Sequence, residues 1–262
     1  MTYDTILFDN RNGAAWLTLN RPEKLNAFNV RMHEEIRSAL DRLSADGGLR
    51  VLVITGAGRG FCAGQDLSDR AVAAGDAIDL GASIEKYYAP LVRRLRSLEM
   101  PVICGVNGVA AGAGANLAFA CDIVIAAKSA SFIESFCKLG LIPDTGGTYF
   151  LPRLVGTARA MGLALLGDKI SAEQAAEWGL IWKCVPDAEL ATAVDQLAAQ
   201  FVSAPTKALA RIKQAIYSSG GHSLDEQLNM ERDFMRELGY SKDFREGVAA
   251  FLEKRTPQFA GK

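Results

Sequence analysis

The sequence predicts an α/β fold: repeated ββα-like units that stack strands into a core with helices outside, followed by a helical C-terminal region. Three observations predict it. Short apolar runs, among them Val51-Leu52-Val53-Ile54, Val102-Ile103-Cys104-Gly105-Val106 and Ile123-Val124-Ile125-Ala126, read as strands buried on both faces. Helical patterns alternate with them, and such alternation builds a parallel sheet through right-handed crossovers. Beyond about Arg159 the pattern becomes almost wholly helical. The core is expected over residues 1–185 and the helical region over 186–262, with no low-complexity linker between them.

Each element has a local reason. Ile6-Leu7-Phe8 and Ala15-Trp16-Leu17-Thr18-Leu19 flank Asn12-Gly13, a dipeptide that tolerates the positive φ of a type I′ hairpin turn. After Asn20-Arg21-Pro22 a loop runs to Asn29, a good N-cap for a helix reaching about Leu43, with Met32, Ile36, Ala39, Leu40 and Leu43 on one face. Residues 84–98 and 115–120 have helical patterns. Ser171-Ala172-Glu173-Gln174 has the spacing of a capping box, and 181–185 reads as one more strand. Helices are expected over 188–202, 206–218, 224–238 and 244–253.

Composition narrows the function classes. The chain has 262 residues, 29 basic against 30 acidic, so a net charge of −1. It therefore lacks the long-range positive field of a nucleic-acid binder. Hydrophobic residues make up 49% of it, which excludes a disordered chain. No apolar run reaches the roughly 18–20 residues that span a bilayer, and the N-terminus carries no secretory pattern. Cys62, Cys104, Cys121, Cys137 and Cys184 form no C-x-x-C pair, and four of them lie in apolar or small-residue runs. That fits reduced thiols in a cytoplasm and neither a disulfide framework nor a zinc site. With only His33 and His222, no histidine metal cluster is readable, and histidine is not expected as the main acid or base.

The informative features are three glycine-rich junctions read as following strands: Gly56 to Leu67, Asn107 to Leu117 and Gly140 to Gly147. In open α/β folds ligands bind beyond the carboxyl ends of strands, and glycine there lets backbone N–H groups approach them. Gly56-x-Gly58-x-Gly60 and Gly112-x-Gly114-x-x-Leu117 both miss the last glycine of a dinucleotide fingerprint. No Walker lysine follows, and there is no G-x-S-x-G elbow. One such run alone is best read as a tight turn; three on one strand edge point to a site.

The motifs Leu19-Asn20-Arg21-Pro22-x-x-Leu25-Asn26-Ala27-Phe28, Gly60-Phe61-Cys62-Ala63-Gly64-x-Asp66-Leu67, Asn107-Gly108-x-Ala110-x-Gly112-x-Gly114 and Gly140-Leu141-Ile142-Pro143-x-x-Gly146-Gly147 resemble the crotonase (enoyl-CoA hydratase/isomerase) superfamily, in order and along almost the whole chain. The resemblance implies the ClpP-like crotonase spiral, with the helical region used for trimerisation, and an acyl-CoA thioester substrate. It implies no separate cofactor and no metal, since the CoA enters as part of the substrate. It also implies an oxyanion hole made by the backbone N–H groups of Gln65 and Ala113, placed where enolate charge develops.

Departures from the family pattern matter as much. The two positions where hydratases carry water-activating glutamates hold Asn116 and Phe136. Hydration is therefore expected to be weak or missing, and Asp144 is the implied acid/base, in a place where isomerases of the family have their carboxylate. Phe136, Leu141, Ile142 and Pro143 are expected to desolvate it in part. Read alone, Asp144 would cap the Gly146-Gly147 turn. Glu134, the nearest rival base, is expected at the surface, and Asp66 is expected to brace its loop. The resemblance further implies CoA contacts at Lys24, Leu25, Ala27, Ala63, Gln65, Asp66, Leu67, Ala113 and Phe136, and at Lys254, from the same chain or from a neighbouring copy in a homotrimer or dimer of trimers. Tyr87, Tyr88 and Phe136 are candidates to line a pocket for a ring-shaped acyl group.

Within the family, Phe61-Cys62-Ala63-Gly64-Gln65-Asp66-Leu67-x-Asp69-Arg70 and Phe251-Leu252-x-Lys254-Arg255-x-Pro257-Gln258-Phe259 resemble members that convert ring-1,2-epoxyphenylacetyl-CoA to the seven-membered oxepin-CoA in phenylacetate degradation. A Δ3-Δ2-enoyl-CoA isomerase would need the same residues, and a hydratase would need the missing glutamates. A non-enzymatic scaffold or RNA-binding role is disfavoured by the balanced charge and the retained Asp144.

Overall fold

In the computed structural model, which describes residues 2–70 and 79–262, Asn12 and Gly13 both take positive φ, 53° and 92°. Their turn pairs β1 (Ile6–Arg11) antiparallel to β2 (Ala14–Leu19), with Arg11 opposite Ala14 and Ile6 opposite Leu19. Asn29 then caps α1 (Val30–Ala45), its side chain accepting the Met32 N–H at 2.9 Å. The helix buries its expected apolar face and also His33, whose ring stacks on Phe28 with centroids 4.8 Å apart.

Three ββα turns follow. In the first, β3 (Val51–Gly56) leads to β4 (Gly60–Cys62) and then to α2 (Leu80–Ser83), a π turn (Ile84–Tyr88) and α3 (Ala89–Ser97). In the second, β5 (Val102–Val106) leads to β6 (Val109–Ala111) and α4 (Ala113–Phe119). In the third, β7 (Ile123–Ala127) leads to β8 (Ser131–Ile133), a 3-10 turn (Ser135–Leu139) and α5 (Gly147–Leu166). Then come β9 (Lys169–Ser171), α6 (Ala172–Glu177), β10 (Lys183–Val185), α7 (Leu190–Val202), α8 (Thr206–Ser219), α9 (Leu224–Gly239) and α10 (Lys242–Glu253).

The long strands form one sheet in the order β1-β2-β3-β5-β7-β10, parallel apart from the first hairpin. The short strands form a second, β4-β6-β8-β9, parallel apart from its last pair. Strands β3, β5 and β7 each pass through a turn into a short strand; the first two glycine-rich segments contain β4 and β6, and the third follows the 3-10 turn after β8. This repeated spiral is the ββα core the sequence predicts.

The four C-terminal helices are used in two ways. Helix α7 lies against β3, β5 and β7 and buries Leu190, Val194 and Ala198 there, a contribution of about 1.5–3 kcal/mol for each large side chain. Helix α8 is tied to the core by charge: buried Lys213 pairs with Asp122 at 2.9 Å and donates to the Leu95 carbonyl at 2.9 Å. The Tyr217 hydroxyl also donates to Asp122. At the far end of the sheet from Gly56, Arg50 holds the carbonyls of Val202 and Phe259 at 2.8 and 2.9 Å.

Several elements differ from the sequence expectation. The short strands escaped it because three residues rich in Gly, Ala and Ser carry no readable period. The third junction follows a 3-10 turn and not a strand. Helix α5 starts before the expected helical region, hidden by Pro152 and by Gly156, which takes φ 75° inside it. Ser171 does cap α6, accepting the Gln174 N–H at 3.1 Å, but the Gln174 side chain turns to Glu177, so the box is half made. A complete box, Ser223 with Glu226, opens α9.

Candidate active site

The first two junctions meet through backbone. Gly64 takes φ 91°, and a Cβ there would lie 2.9 Å from the Ala111 carbonyl oxygen and 3.6 Å from the Ala113 nitrogen. Only glycine allows that conformation and that approach together. Gln65 is fixed beside it by an isolated parallel bridge to Phe28. Phe28 N–H donates to the Gly64 carbonyl at 2.7 Å and Asp66 N–H donates to Phe28 at 2.8 Å. That pattern leaves the Gln65 N–H directed away from Phe28. Among the described residues it meets no acceptor.

The Gln65 side chain is tied down as well. Its Nε2 donates to the Phe28 carbonyl at 3.1 Å, and its Oε1 accepts the Tyr88 hydroxyl at 2.6 Å. Tyr88 is buried in the aromatic cluster of Phe28 and His33, reached from the π turn. It therefore braces Gln65 from within the core, the place that aromatics at helical spacing more often take.

Ala113 is the first residue of α4, preceded by Gly112 at φ 51° with no side-chain cap. A helix leaves its first N–H groups without internal partners and adds partial positive charge there. The Phe136 ring lies over this start, its Cζ 3.4 Å from where a Gly112 Cβ would be. Phe136 is thus brought against Gly112, next to Ala113 in the chain.

Asp144 sits in the turn that opens α5. Its carbonyl accepts the Gly147 N–H at 2.8 Å across Thr145 and Gly146, both at positive φ, 53° and 86°. A β-branched residue at such a φ is strained, a feature that gathers at functional sites. The carboxylate is tied within its own turn, where Oδ1 accepts the Thr145 hydroxyl at 2.8 Å. Its expected apolar shield is partly absent, because Leu141 and Ile142 are exposed.

Asn116 and Glu134 correct the sequence reading most. Glu134 was expected at the surface and is 2% exposed. It follows β8 and accepts the Asn116 Nδ2 at 3.3 Å. Burial, and to a lesser degree the Asp144 charge, push its carboxyl up to about 8, against the pull of the Asn116 hydrogen bond. Asn116, fully buried, donates the same Nδ2 to the Asp144 carbonyl at 3.0 Å. The position of one hydratase glutamate thus carries an amide that holds the Asp144 turn. Burial among neighbours distant in sequence leaves no local signal, so Glu134 could not have been found by pattern.

The early loop is cross-braced. Arg21 donates to the Ala27 carbonyl at 2.6 Å and to Asp66 at 2.8 Å. The Ser68 hydroxyl and N–H, with Arg21, hold the Asp66 carboxyl below the usual carboxylate range. Asp66 is thus a brace, as expected. Asn26 donates to the carbonyls of Ala57 and Gly60, both at 2.9 Å, and Ala63 N–H donates to Leu25 at 2.9 Å. These bonds bring Leu25, Ala27, Ala63 and Gln65 into one cluster, with Lys24 and Leu67 exposed at its rim. Lys254 ends α10, exposed and without an ion pair among the described residues. The tail after it is held at the other end of the sheet, so no bond within one chain joins Lys254 to this cluster.

The Enoyl-CoA hydratase/isomerase family profile matches residues 9–262, and the chain belongs to that family. It is 59% identical over 258 residues to the 1,2-epoxyphenylacetyl-CoA isomerase of Escherichia coli (strain K12), covering 98% of each chain. It is 48% identical, over the full length of both, to a probable enoyl-CoA hydratase of Rhodobacter capsulatus. A crystal structure of a putative enoyl-CoA hydratase/isomerase from Mycobacterium abscessus superposes with a TM-score of 0.92 at 33% identity, covering 98% of this chain and all of the other.

Proposed function

We propose that this chain isomerises ring-1,2-epoxyphenylacetyl-CoA to the oxepin-CoA thioester, with Gln65 and Ala113 as oxyanion donors and Asp144 as the single acid/base. The observation that carries the reading is the meeting of the Gly64 and Ala113 backbones next to the turn that presents Asp144. The 59% identical relative supports the choice of substrate. The thioester oxygen accepts both N–H groups, which strengthen as negative charge develops on it. Asp144 removes a proton from the carbon between ring and thioester and returns it to a ring carbon after ring expansion. Nothing is added or lost, so one carboxylate suffices and no cofactor or metal is invoked.

The loop cluster of Leu25, Ala27, Ala63, Asp66 and Leu67 would shape the adenine site, with Lys24 near the phosphates and Phe136 against the acyl ring. Lys254 would reach the CoA of a neighbouring copy in a homotrimer or dimer of trimers. Five free thiols fit a reducing cytoplasm, and among the described residues no helix is long and apolar enough to cross a membrane. A Δ3-Δ2-enoyl-CoA isomerase activity uses the same groups and is expected beside the first. Incubation with the epoxide, with 3-enoyl-CoA and with crotonyl-CoA, followed by mass and ultraviolet spectra, tests the reading. Isomer formation from the first is expected, with negligible hydration of the last; hydration at a typical enzyme turnover of about 10 per second would overturn it.

A further inference from the structure

Glu134 and Asn116 face each other across α4 and the end of β8, and each has one oxygen left over. Glu134 Oε2 accepts from Asn116 Nδ2, while Glu134 Oε1 and Asn116 Oδ1 are buried with no hydrogen-bond partner among the described residues. The Asn116 amide cannot be turned round, because its Nδ2 is needed on the Asp144 carbonyl at 3.0 Å. Its Oδ1 can only accept. An ionised Glu134 could also only accept, and both oxygens would stay orphaned. A proton on Oε1 makes it a donor, and the orphaned acceptor on the side chain it already pairs with is Asn116 Oδ1; a bond between them would close a two-bond ring between a carboxylic acid and a carboxamide.

We propose that Glu134 is a positioning residue for the reaction: as a neutral acid doubly paired with Asn116, it locks the Asn116 amide onto the Asp144 carbonyl and so holds the catalytic turn in register with the oxyanion N–H groups. The inference rests on Asp144 being the acid/base. The upward-shifted carboxyl agrees with it, and Asp144 is the charged group acting on Glu134. From α4 it faces Asn116, which does not titrate. On its own segment, Cys137 and Lys138 lie near the Glu134 carbonyl around Gly167, and the Lys138 ammonium is drawn off to Asp168 at 3.4 Å. When Glu134 ionises, its donor is lost and a second negative charge stands near Asp144. Both effects loosen the turn.

The test compares Glu134→Ala and Glu134→Gln in the full chain. Gln can make the same two bonds, with Nε2 replacing the O–H, and it cannot ionise. Glu134→Ala should lower kcat by about tenfold to a hundredfold with little change in KM, the cost of a small misplacement of a catalytic group. Glu134→Gln should restore most of that loss at pH 7 and stay active at pH 9, where the parent falls as pH rises through about 8. Carbon-13 carboxyl NMR, assigned by loss of one signal in Glu134→Gln, should show a protonated glutamate at pH 7. That readout needs no substrate, so it separates this inference from the choice of substrate. An ionised Glu134 at pH 7, a Gln variant as slow as Ala, or matching alkaline limbs in parent and Gln variant would each overturn it.

Discussion

Asp66 and Glu134 are both buried carboxyls of the site, 8% and 2% exposed, one next to Gln65 and the other behind α4. They are treated in opposite ways. Asp66 receives Ser68 and a guanidinium, and its acidity rises; Glu134 receives one amide, and its acidity falls. Desolvation acts against the charged form of both, and the difference lies in what returns the lost solvation. The pair teaches how this site keeps its charge sparse. A charge is fixed where it braces the Arg21 loop and suppressed where it would crowd Asp144. Asp144 is less buried than either, and in the proposed function it is the group that trades a proton.

The most severe way to test that division is Asp144→Asn. It should cut isomerisation by about 10³-fold and remove solvent-deuterium exchange, with folding intact by circular dichroism. Exchange retained at the parent rate would end the assignment. Next, Asp66→Ala leaves Arg21 uncompensated in a mostly buried loop and should cost about 3 kcal/mol in urea unfolding. Because the folded Asp66 carboxyl is more acidic than the unfolded one, its contribution is present above the unfolded value, near pH 4, and is lost as pH falls through the folded value.

Glu134 has the opposite sign. Its folded carboxyl is raised from 4.5 to about 8, so stability is full below pH 4.5 and declines as pH rises to about 8. Glu134→Gln should therefore come close to the parent at pH 4.5 and gain on it by about 4 kcal/mol by pH 8. Equal stabilities at pH 8 would show that the two carboxyls do not differ as described. The smallest effect is expected from Tyr88→Phe, which removes the 2.6 Å bond to Gln65. About 1 kcal/mol of stability should go, with a severalfold fall in kcat and unchanged affinity for free CoA.

Much of this was legible before the structure. Asn29, Asn12-Gly13 and the apolar strands act through neighbours a few residues away, and such signals survive in a linear reading. The four family motifs, three of them glycine-rich, pointed to the two oxyanion candidates and to Asp144 through their order and spacing. Glu134 was misplaced because its burial depends on Asn116, 18 residues earlier, and on Asp144, 10 residues later. The link from Tyr88 to Gln65 was out of reach for a similar reason, since its partners Phe28, His33 and Gln65 come from segments distant in sequence. Leu141 and Ile142 look like core residues by type, and only a three-dimensional contact list reveals that a single chain leaves them uncovered.

Arg50 has one further consequence, which concerns time. Its bond to the Phe259 carbonyl links residues 209 apart in the chain, and the bond to Val202 links residues 152 apart. Contacts of such separation close the largest loops and form late, after local helices and adjacent ββα turns. The spiral can therefore wind up from its N-terminal side during synthesis, while the strap over the start of β3 must wait for almost the whole polypeptide. The sheet face that α7 covers stays open until residues 190–202 have been made, an interval in which the nascent chain is exposed to aggregation.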